Sequence, residues 1–400
     1  MSFRISNILD YDTFLAIDIW AFKIKVLVCK IDWQELKIIW SSTLRQSKKD
    51  MYNGEITDIS SISRSIQKAI TKACQNLDSI PTDALVLLNS SELIYDFTSI
   101  NYVRKWNSSP ISMKEIDEMI EDVEMRSLDK IKTKTESRLW IIEAEMKLVT
   151  TSITGIYVDW QRISNPIWFT WKNIKFNLIN VFSPVTRFMI LKNIIHDLWL
   201  NLISIVPLPI SLPKLTEDSP YNYDANIYID FWYSKTTVIL QTNSEILWFN
   251  VLNFWYSLLE DELRSHLDKG YLDIENILNS LDEKYEEYKV IIDWALDFIF
   301  DSLIIAIQDI EKSFFAKNVF VSWAWISKVL KKQIAEHFEK SHIGKNITVI
   351  DEFLSDESLK EYNANWMLWV LSLAKAWKEL MAIKKDPLVR ILRYVLYKYE

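Results

Sequence analysis

Glycine is the residue that this sequence lacks most clearly. The chain has 4 glycines and 18 tryptophans in 400 residues, whereas an average chain of that length carries roughly 28 glycines. Tight turns and many helix ends use glycine because it adopts positive φ without steric cost. Other residues must therefore stand at many of the positions where glycine is normally found.

Further absences narrow the class of protein. Cys29 and Cys74 have neither the spacing of metal ligands nor that of a disulfide framework, so we expect a protein of the reducing cytoplasm. The net charge of -8 argues against a general nucleic-acid surface, and no nucleic-acid partner is expected. No apolar signal-peptide core opens the chain. The four histidines lack metal-ligand spacing: His196, His266, His337 and His342.

Long apolar runs without charge are also missing. The most apolar stretch, Val290 to Ile307, is interrupted by Asp293, Asp297 and Asp301 at successive helical turns. This spacing places the three carboxylates on one helical face, so we expect an amphipathic helix and not a membrane span. Walker A, G-x-G-x-x-G and G-x-S-x-G patterns are absent, even with glycine written for tryptophan.

One design occurs twice in the chain. Phe14 to Leu27, FLAIDIWAFKIKVL, reads as an apolar strand ending near Asp18, a tight turn, and a second strand starting at Lys23. Ile227 to Leu240, IYIDFWYSKTTVIL, repeats it with Asp230. The repetition predicts a duplicated α/β domain with a ligand in the cleft between the halves.

Both turns carry tryptophan, Trp20 and Trp232, where the backbone would have to approach a phosphate. Our hypothesis is that many tryptophans are glycine in the living protein, encoded by UGA codons that its source reads as glycine and that another translation table reads as tryptophan. UGG codons at positions 20, 232, 323 and 325 would refute it. A genuinely tryptophan-rich protein is the alternative.

Periodicity and turn signals predict alternating strands and helices around a mixed or parallel sheet. Ser112 and Glu115 form a capping box that opens a helix to about Leu128. The predicted strands include 15–31, 36–42, 84–88, 140–149, 154–158, 174–182, 202–206, 246–250, 318–322 and 347–350. The predicted helices include 59–77, 184–198, 290–316, 326–338 and 367–380. Prolines mark a crossover between the halves: Pro207, Pro209, Pro213 and Pro220.

The ordered motifs resemble the actin-like ATPase superfamily and, within it, the bacterial cell-division family FtsA. With glycine for tryptophan, the two turns are similar to the family's two phosphate loops, and VSWAWIS is similar to its adenosine loop. Three segments resemble FtsA in particular: NGEITDISSISRSI, VDWQRISNPIWFTWKNIKF and LTED at Leu215 to Asp218. The resemblance covers about residues 14 to 380.

The resemblance implies an ATP site and a Mg²⁺ ion held by Asp18 and Asp230 through water. Lys23 matches the lysine that reaches the phosphates, and Thr236 the loop threonine. The full implied nucleotide set is Asp18, Trp20, Ala21, Phe22, Lys23, Asp230, Trp232, Tyr233, Ser234, Lys235, Thr236, Thr237, Trp255, Ser322, Trp323, Ala324 and Trp325.

Two departures from the family's pattern bear on hydrolysis. Thr237 stands where many relatives have an acidic residue, and the crossover has Leu208, Pro209 and Ile210 where a polar residue orients the attacking water. We therefore expect slow or absent ATPase activity, with nucleotide acting as a conformational clamp.

The resemblance also implies a division into subdomains. These are an N-terminal tail (1–13), subdomain 1A (14–97, 173–212 and 353–380), an inserted α+β subdomain 1C (98–172), subdomain 2A (213–254 and 291–352), a short subdomain 2B (255–290), and a linker with a C-terminal amphipathic helix (381–400).

The C-terminal helix carries one apolar stripe flanked by cations, a pattern typical of a helix lying in an anionic membrane interface. An ordinary helix docked on the body or on a partner is the alternative. The residues expected to bind the membrane are Leu388, Arg390, Ile391, Leu392, Arg393, Val395, Leu396, Lys398 and Tyr399.

The resemblance to FtsA, together with the C-terminal helix, implies a cell-division scaffold on the cytoplasmic face of the membrane at the division site. It would bind ATP, self-associate into filaments, and tether the FtsZ C-terminal tail and other divisome proteins. A pilus-assembly actin-like adaptor and a small-metabolite kinase of the same fold are the alternatives.

Overall fold

The computed structural model describes most of the chain. The described residues are 13–20, 23–32, 35–47, 49–52, 55–89, 93–104, 109–139, 145–163, 166–217, 219–232, 234–253, 255–311, 316–323, 327–341, 346–349 and 367–382. The chain divides into two compact units, Met1–Lys214 with Trp369–Glu400, and Leu215–Leu368. The first division falls between Pro213 and Pro220, within the predicted crossover.

The first unit is built on a five-stranded sheet of order β11-β6-β1-β2-β3. The pairs β1·β2 and β2·β3 are antiparallel, and the pairs β1·β6 and β6·β11 are parallel. Its strands are β1 (Thr13–Ile19), β2 (Lys23–Asp32), β3 (Glu35–Arg45), β6 (Asp83–Leu88) and β11 (Asn201–Pro207), and a two-stranded hairpin of β4 (Met51–Tyr52) and β5 (Glu55–Ile56) follows β3.

The second unit repeats this sheet with the order β14-β13-β12-β15-β16. Two antiparallel pairs and two parallel pairs again occur in the same sequence across the sheet. Its strands are β12 (Ala225–Phe231), β13 (Thr236–Thr242), β14 (Glu245–Leu252), β15 (Asn318–Trp323) and β16 (Asn346–Val349). The duplicated α/β architecture predicted from the two repeated stretches is confirmed.

A four-stranded antiparallel sheet of order β7-β10-β8-β9 is inserted in the first unit between β6 and the helix that leads to β11. The equivalent connection of the second unit, from β15 to β16, holds one described helix instead. The inserted module contains β7 (Ile94–Val103), a long helix α2 (Met113–Leu139), β8 (Met146–Val158), β9 (Gln161–Arg162) and β10 (Asn173–Pro184).

Each unit has its own apolar core. In the first, the helices α1 (Ile59–Ala73) and α3 (Val185–Asp197) cover one face of the sheet, and α9 (Leu368–Ala382) contacts the other through rings such as the Phe14–Trp377 pair. The remaining helices are α4 (Leu208–Ser211), α5 (Tyr256–Leu267), α6 (Tyr271–Asn279), α7 (Leu281–Glu311) and α8 (Lys328–Ser341), with 3₁₀ turns at Leu212–Thr216 and Pro220–Tyr223. Cys29 and Cys74 are buried free thiols.

Three elements differ from the sequence-based expectation. The helix that begins after Ser112 continues to Leu139 and not to Leu128, because charged residues of good helix propensity follow without glycine or proline. At its start, the Ser112 hydroxyl accepts a hydrogen bond from the Glu115 amide. The segment Met146–Val158 is one strand rich in β-branched residues, and it pairs along β10 with two register shifts, at Asn177/Leu178 and Val181/Phe182. Helix α7 begins at Leu281, where Tyr285 and Tyr288 are already buried.

The three aspartates of α7 lie four residues apart, and Asp297 and Asp301 are exposed, as the spacing predicts for an amphipathic helix. Asp293 accepts a hydrogen bond from the Tyr285 hydroxyl, and Asp297 lies 2.8 Å from Nε2 of His337. Of these two contacts only that of Asp297 joins α7 to another helix, α8, because Tyr285 lies on α7 itself. No helix within the described ranges is both long enough and apolar enough to cross a membrane.

Tryptophan stands at several positions with left-handed backbone. Of the seven non-glycine residues with positive φ that the described chain contains, three are tryptophans: Trp160 at 74°, Trp168 at 73° and Trp199 at 61°. Their side chains are 71%, 80% and 91% exposed, so no buried contact of the indole compensates for the conformation. A bulky residue at positive φ is a steric outlier, whereas glycine is not.

Candidate functional site

The first predicted phosphate turn is a closed hairpin between β1 and β2. The Trp20 amide donates to the Lys23 carbonyl over 3.0 Å, and the Lys23 amide donates to the Trp20 carbonyl over 3.2 Å. The turn therefore has the tight shape that its sequence predicts. These two amides are used inside the turn and do not point toward a ligand.

Asp18 forms a buried ion pair next to this turn. Its Oδ2 accepts a hydrogen bond from Nζ of Lys25 over 2.8 Å, and the two side chains are 2% and 0% exposed. Residues 18 and 25 lie directly opposite in the β1·β2 register, which explains why the two groups meet. The Lys25 ammonium also lies 4.4 Å from the ring centroid of Trp369 and 5.2 Å from that of Trp20.

The Trp20 indole fills space above this ion pair. It is 8% exposed and lies 6.1 Å from the Trp369 ring. Gln46, just after β3, donates a hydrogen bond from Nε2 to the Trp20 carbonyl. The turn is thus held from both sides, by α9 and by the end of β3.

Lys23 is partly exposed at the start of β2. Its pKa is lowered from the ordinary lysine value by partial burial first, and then by the positive charges of Lys25 and Arg45. A cation in the field of two others is a favourable neighbour for an anion. This position fits the role that the resemblance implies for Lys23.

The second turn has the same construction. The Trp232 amide donates to the Lys235 carbonyl over 2.7 Å, between β12 and β13. Asp230 is fully buried, and its Oδ1 accepts a hydrogen bond from the Ser322 hydroxyl of β15. Parallel pairing places residue 230 opposite residue 322, so the sheet itself brings these two predicted residues together.

Polar residues at the start of β13 and just before it are buried near this aspartate. Thr236 and Thr237 are 0% and 1% exposed, and Lys235 is 5% exposed. Residue 237 pairs with Asp230 in the β12·β13 register. The Thr237 hydroxyl has no hydrogen-bond partner among the residues that the structure describes, which is a costly arrangement for a buried polar group.

Trp255 lies in the apolar core of the second unit. Its ring centroid is 4.1 Å from that of Phe231 and 6.5 Å from that of Phe300. Trp323 is the last residue of β15 and pairs with Phe231. Ser234 lies in the second turn and is partly exposed.

Several predicted residues lie outside the described part of the chain. These are Ala21, Phe22, Tyr233, Ala324 and Trp325 of the three loops, and the whole predicted membrane helix from Leu388 to Tyr399.

Asp18 as placed does not fit the predicted role of holding Mg²⁺. Its counter-charge is the Lys25 ammonium, and it does not reach solvent, whereas Mg²⁺ keeps most of its water ligands in proteins. Within the described ranges, no group of three or more His, Cys, Asp or Glu side chains could hold a metal ion.

Sequence reasoning missed the residues that surround the first turn. Lys25, Arg45, Gln46 and Trp369 were not predicted to belong to the site. A signal existed only for Lys25, because a charge in the apolar run KIKVLVCK must be paired or lie at an edge.

Leu208, Pro209 and Ile210 at the crossover are buried in α4. They place no polar side chain at the position where the family has its water-orienting residue, so the prediction of weak or absent hydrolysis stays a prediction.

The fold defined by the two repeated sheets is the actin-like fold. No protein-family model matches the sequence, and no curated protein matches it. Among solved structures, the chain is similar to one described as the PilM-PilN type IV pilus biogenesis complex, with 11% identity, a TM-score of 0.64, and coverage of 90% of this chain and 97% of that chain.

Weaker similarity extends to other proteins. One is the ethanolamine utilization protein EutJ from Carboxydothermus hydrogenoformans, with 9% identity, a TM-score of 0.46, and coverage of 92% and 91%. Another is the ROK hexokinase from Thermus thermophilus, with 7% identity, a TM-score of 0.44, and coverage of 91% and 97%. At 11% identity and a TM-score of 0.64, the likeness to the chain of the PilM-PilN complex establishes the fold and no particular activity.

Proposed function

We propose that the chain is an ATP-binding scaffold of cell division that tethers FtsZ to the cytoplasmic membrane and self-associates into filaments. The observation that supports this proposal best is the inserted module between β6 and α3. This module adds a surface to the first unit that the second unit, with its otherwise equivalent sheet, does not have at that connection. The resemblance to FtsA assigns such a module to subunit or divisome contacts. One of the three FtsA-like segments, residues 158–176, lies in this module.

The nucleotide part of the proposal rests on the two turns, each taken by itself. Each follows a strand that carries a buried aspartate, and each is closed by the amide two residues beyond that aspartate. Lysine begins the next strand in the first turn and directly precedes it in the second. We infer that these turns contact the phosphate groups of ATP, and that hydrolysis is slow or absent.

The FtsZ part is tested with an immobilised FtsZ C-terminal tail peptide and the full chain in solution. We expect saturable binding that a free tail peptide competes away and a scrambled peptide does not. Equal signals on the tail and the scrambled peptide would contradict the proposal. Running the experiment with and without ATP measures whether nucleotide acts as a clamp.

The membrane part is tested by co-sedimentation with vesicles. The full chain should pellet with vesicles that contain anionic lipid, and a chain ending at Asp386 should stay in the supernatant. Ile391→Glu, on the predicted apolar stripe, should release the protein, whereas the matched change Tyr394→Glu at the edge of the stripe should have a smaller effect. Equal pelleting of the full and shortened chains would count against membrane binding.

A pilus-assembly adaptor is the second candidate, and one observation favours it. The likeness to a chain of the PilM-PilN complex spans 97% of that chain. A binding assay of the same kind discriminates between the two, since an adaptor of this class should bind a PilN-like partner and ignore the FtsZ tail.

A further inference from the structure

Two rows of polar and charged residues lie side by side at the turn end of the first sheet. The inner row is Asp18, Lys25 and Thr43, which lie opposite one another on β1, β2 and β3. The outer row is Lys23 opposite Arg45. Directly opposed residues of an antiparallel pair project to the same face of a sheet. Three cations therefore share one face close to the Trp20 turn.

The inner row is neutral as a whole. The Lys25 ammonium and the Asp18 carboxylate are 2.8 Å apart and both buried. A divalent cation at this carboxylate would lie against an ammonium group, which Coulomb repulsion opposes strongly at low dielectric. Lys25 thus supplies the positive charge that Mg²⁺ was predicted to supply.

The outer row is positive. Like charges directly opposite each other on neighbouring strands are destabilising unless another charge compensates them. The Arg45 side chain is exposed and makes no ion pair within the described part of the chain. Partial burial and the charges of Lys25 and Arg45 lower the pKa of Lys23. An anion bound between residues 23 and 45 would be attracted by both of their charges.

The backbone at Arg45 is restrained relative to the turn by the residue that follows it. The next residue, Gln46, is buried, donates to the Trp20 carbonyl and contacts Sδ of Met51 over 3.4 Å. The Trp20 and Lys23 amides close the turn. An anion at this end of the sheet would therefore be met by side chains and not by those two amides.

We propose that Lys23 and Arg45 bind the phosphate groups of a nucleotide, with Lys25 at Asp18 in the place of a divalent cation. Arginine suits this role because its planar fork can hold two phosphate oxygens at once. The inference rests on the proposed nucleotide binding and extends it in two ways, since it adds Arg45 and makes binding at this turn independent of Mg²⁺.

The test measures binding of ATP and of inorganic tripolyphosphate to the full chain by titration calorimetry, in Mg²⁺ and in EDTA. Arg45→Gln should weaken both ligands about tenfold or more, the usual effect of losing a charged hydrogen-bond donor. The matched control is Lys37→Gln, because Lys37 is an exposed cation on the same strand that pairs with Asp32 at the far end. Wild-type binding should be equal or tighter in EDTA.

Each outcome tests one part of the proposal, namely the anion pair, nucleotide binding or the role of Lys25. If ATP binds and Arg45→Gln equals Lys37→Gln, the anion pair is overturned and nucleotide binding stands. If tripolyphosphate binds through Arg45 but ATP does not bind, the anion pair stands and nucleotide binding fails. Binding of neither ligand overturns both, and a tenfold loss in EDTA overturns the role given to Lys25. Far-UV circular dichroism of both variants confirms that they are folded.

Discussion

The end of helix α3 provides a direct test of the glycine hypothesis. Trp199 follows the C-cap residue Leu198, and its amide donates to the His196 carbonyl over 2.9 Å. The Leu200 amide donates to the Ile195 carbonyl over 3.1 Å. These two bonds define a Schellman motif, in which the residue at position 199 is usually glycine because its backbone is left-handed.

The effect of Trp199→Gly follows from the geometry. A non-glycine residue at a φ of 61° costs about 1–2 kcal/mol. Glycine loses about 0.5–1 kcal/mol more backbone entropy on folding than other residues. Because the indole is 91% exposed, its removal costs little burial. We expect the free energy of unfolding to rise by about 0.5–1 kcal/mol.

Urea unfolding followed by circular dichroism measures this change, with Trp199→Ala as the matched control. Alanine removes the same indole but keeps the Cβ that clashes at positive φ. A second control is Trp294→Gly in the middle of α7, which should lower stability by about 0.5–1 kcal/mol because glycine is a poor helix former. The reasoning is refuted if Trp199→Gly is no more stable than Trp199→Ala.

Three further changes probe buried charges. Lys25→Met should lower the free energy of unfolding by about 3–5 kcal/mol because Asp18 is left buried and unpaired. Adding Asp18→Asn should restore most of the lost stability, as measured by urea unfolding. The pKa of Asp96 is lowered from its ordinary value: burial alone would raise the pKa, but hydrogen bonds from a lysine and two hydroxyls outweigh the effect of burial. Asp96 therefore stabilises the fold above the unfolded pKa of about 3.9 and loses this effect as pH falls through its folded value. Asp96→Asn should flatten the loss of stability below about pH 4, and an unchanged acid transition would contradict this. Both ring nitrogens of His337 lie 2.8 Å from oxygen atoms, one of them on Asp297. His337→Phe should therefore lower the free energy of unfolding by about 1–3 kcal/mol, measured by urea unfolding. An unchanged unfolding midpoint would show that these hydrogen bonds contribute nothing.

The two turns could be predicted from the sequence because they depend on local signals. Apolar alternation fixes the strands, and Asp18 and Asp230 stand at the same place in two similar stretches. The α/β class of both units then follows from the alternation of strands and helices, whereas the order of the strands in each sheet does not.

The surroundings of the first turn could not be predicted in the same way. That Lys25 meets Asp18, and that Arg45 lies opposite Lys23, depends on the register between strands. A shift of one residue would have turned every one of these side chains to the other face. Trp369 reaches the site from about 350 residues further along the chain, a contact that no local pattern encodes.

Glycine can be required at a position for two reasons, a positive φ or the close approach of a ligand, and the structure distinguishes them at Trp199 and Trp20. At Trp199 the backbone itself is left-handed. Trp20 is not among the positive-φ residues of the described chain, so a glycine there would be required only by a ligand that enters the space of the indole. Because that indole is 8% exposed, Trp20→Gly should lower the free energy of unfolding by about 3–5 kcal/mol. If the position serves a phosphate, the same change should tighten tripolyphosphate binding by calorimetry, despite the lost stability. Lower stability with unchanged affinity would identify Trp20 as a core residue and would confine the glycine hypothesis to positions where φ is positive.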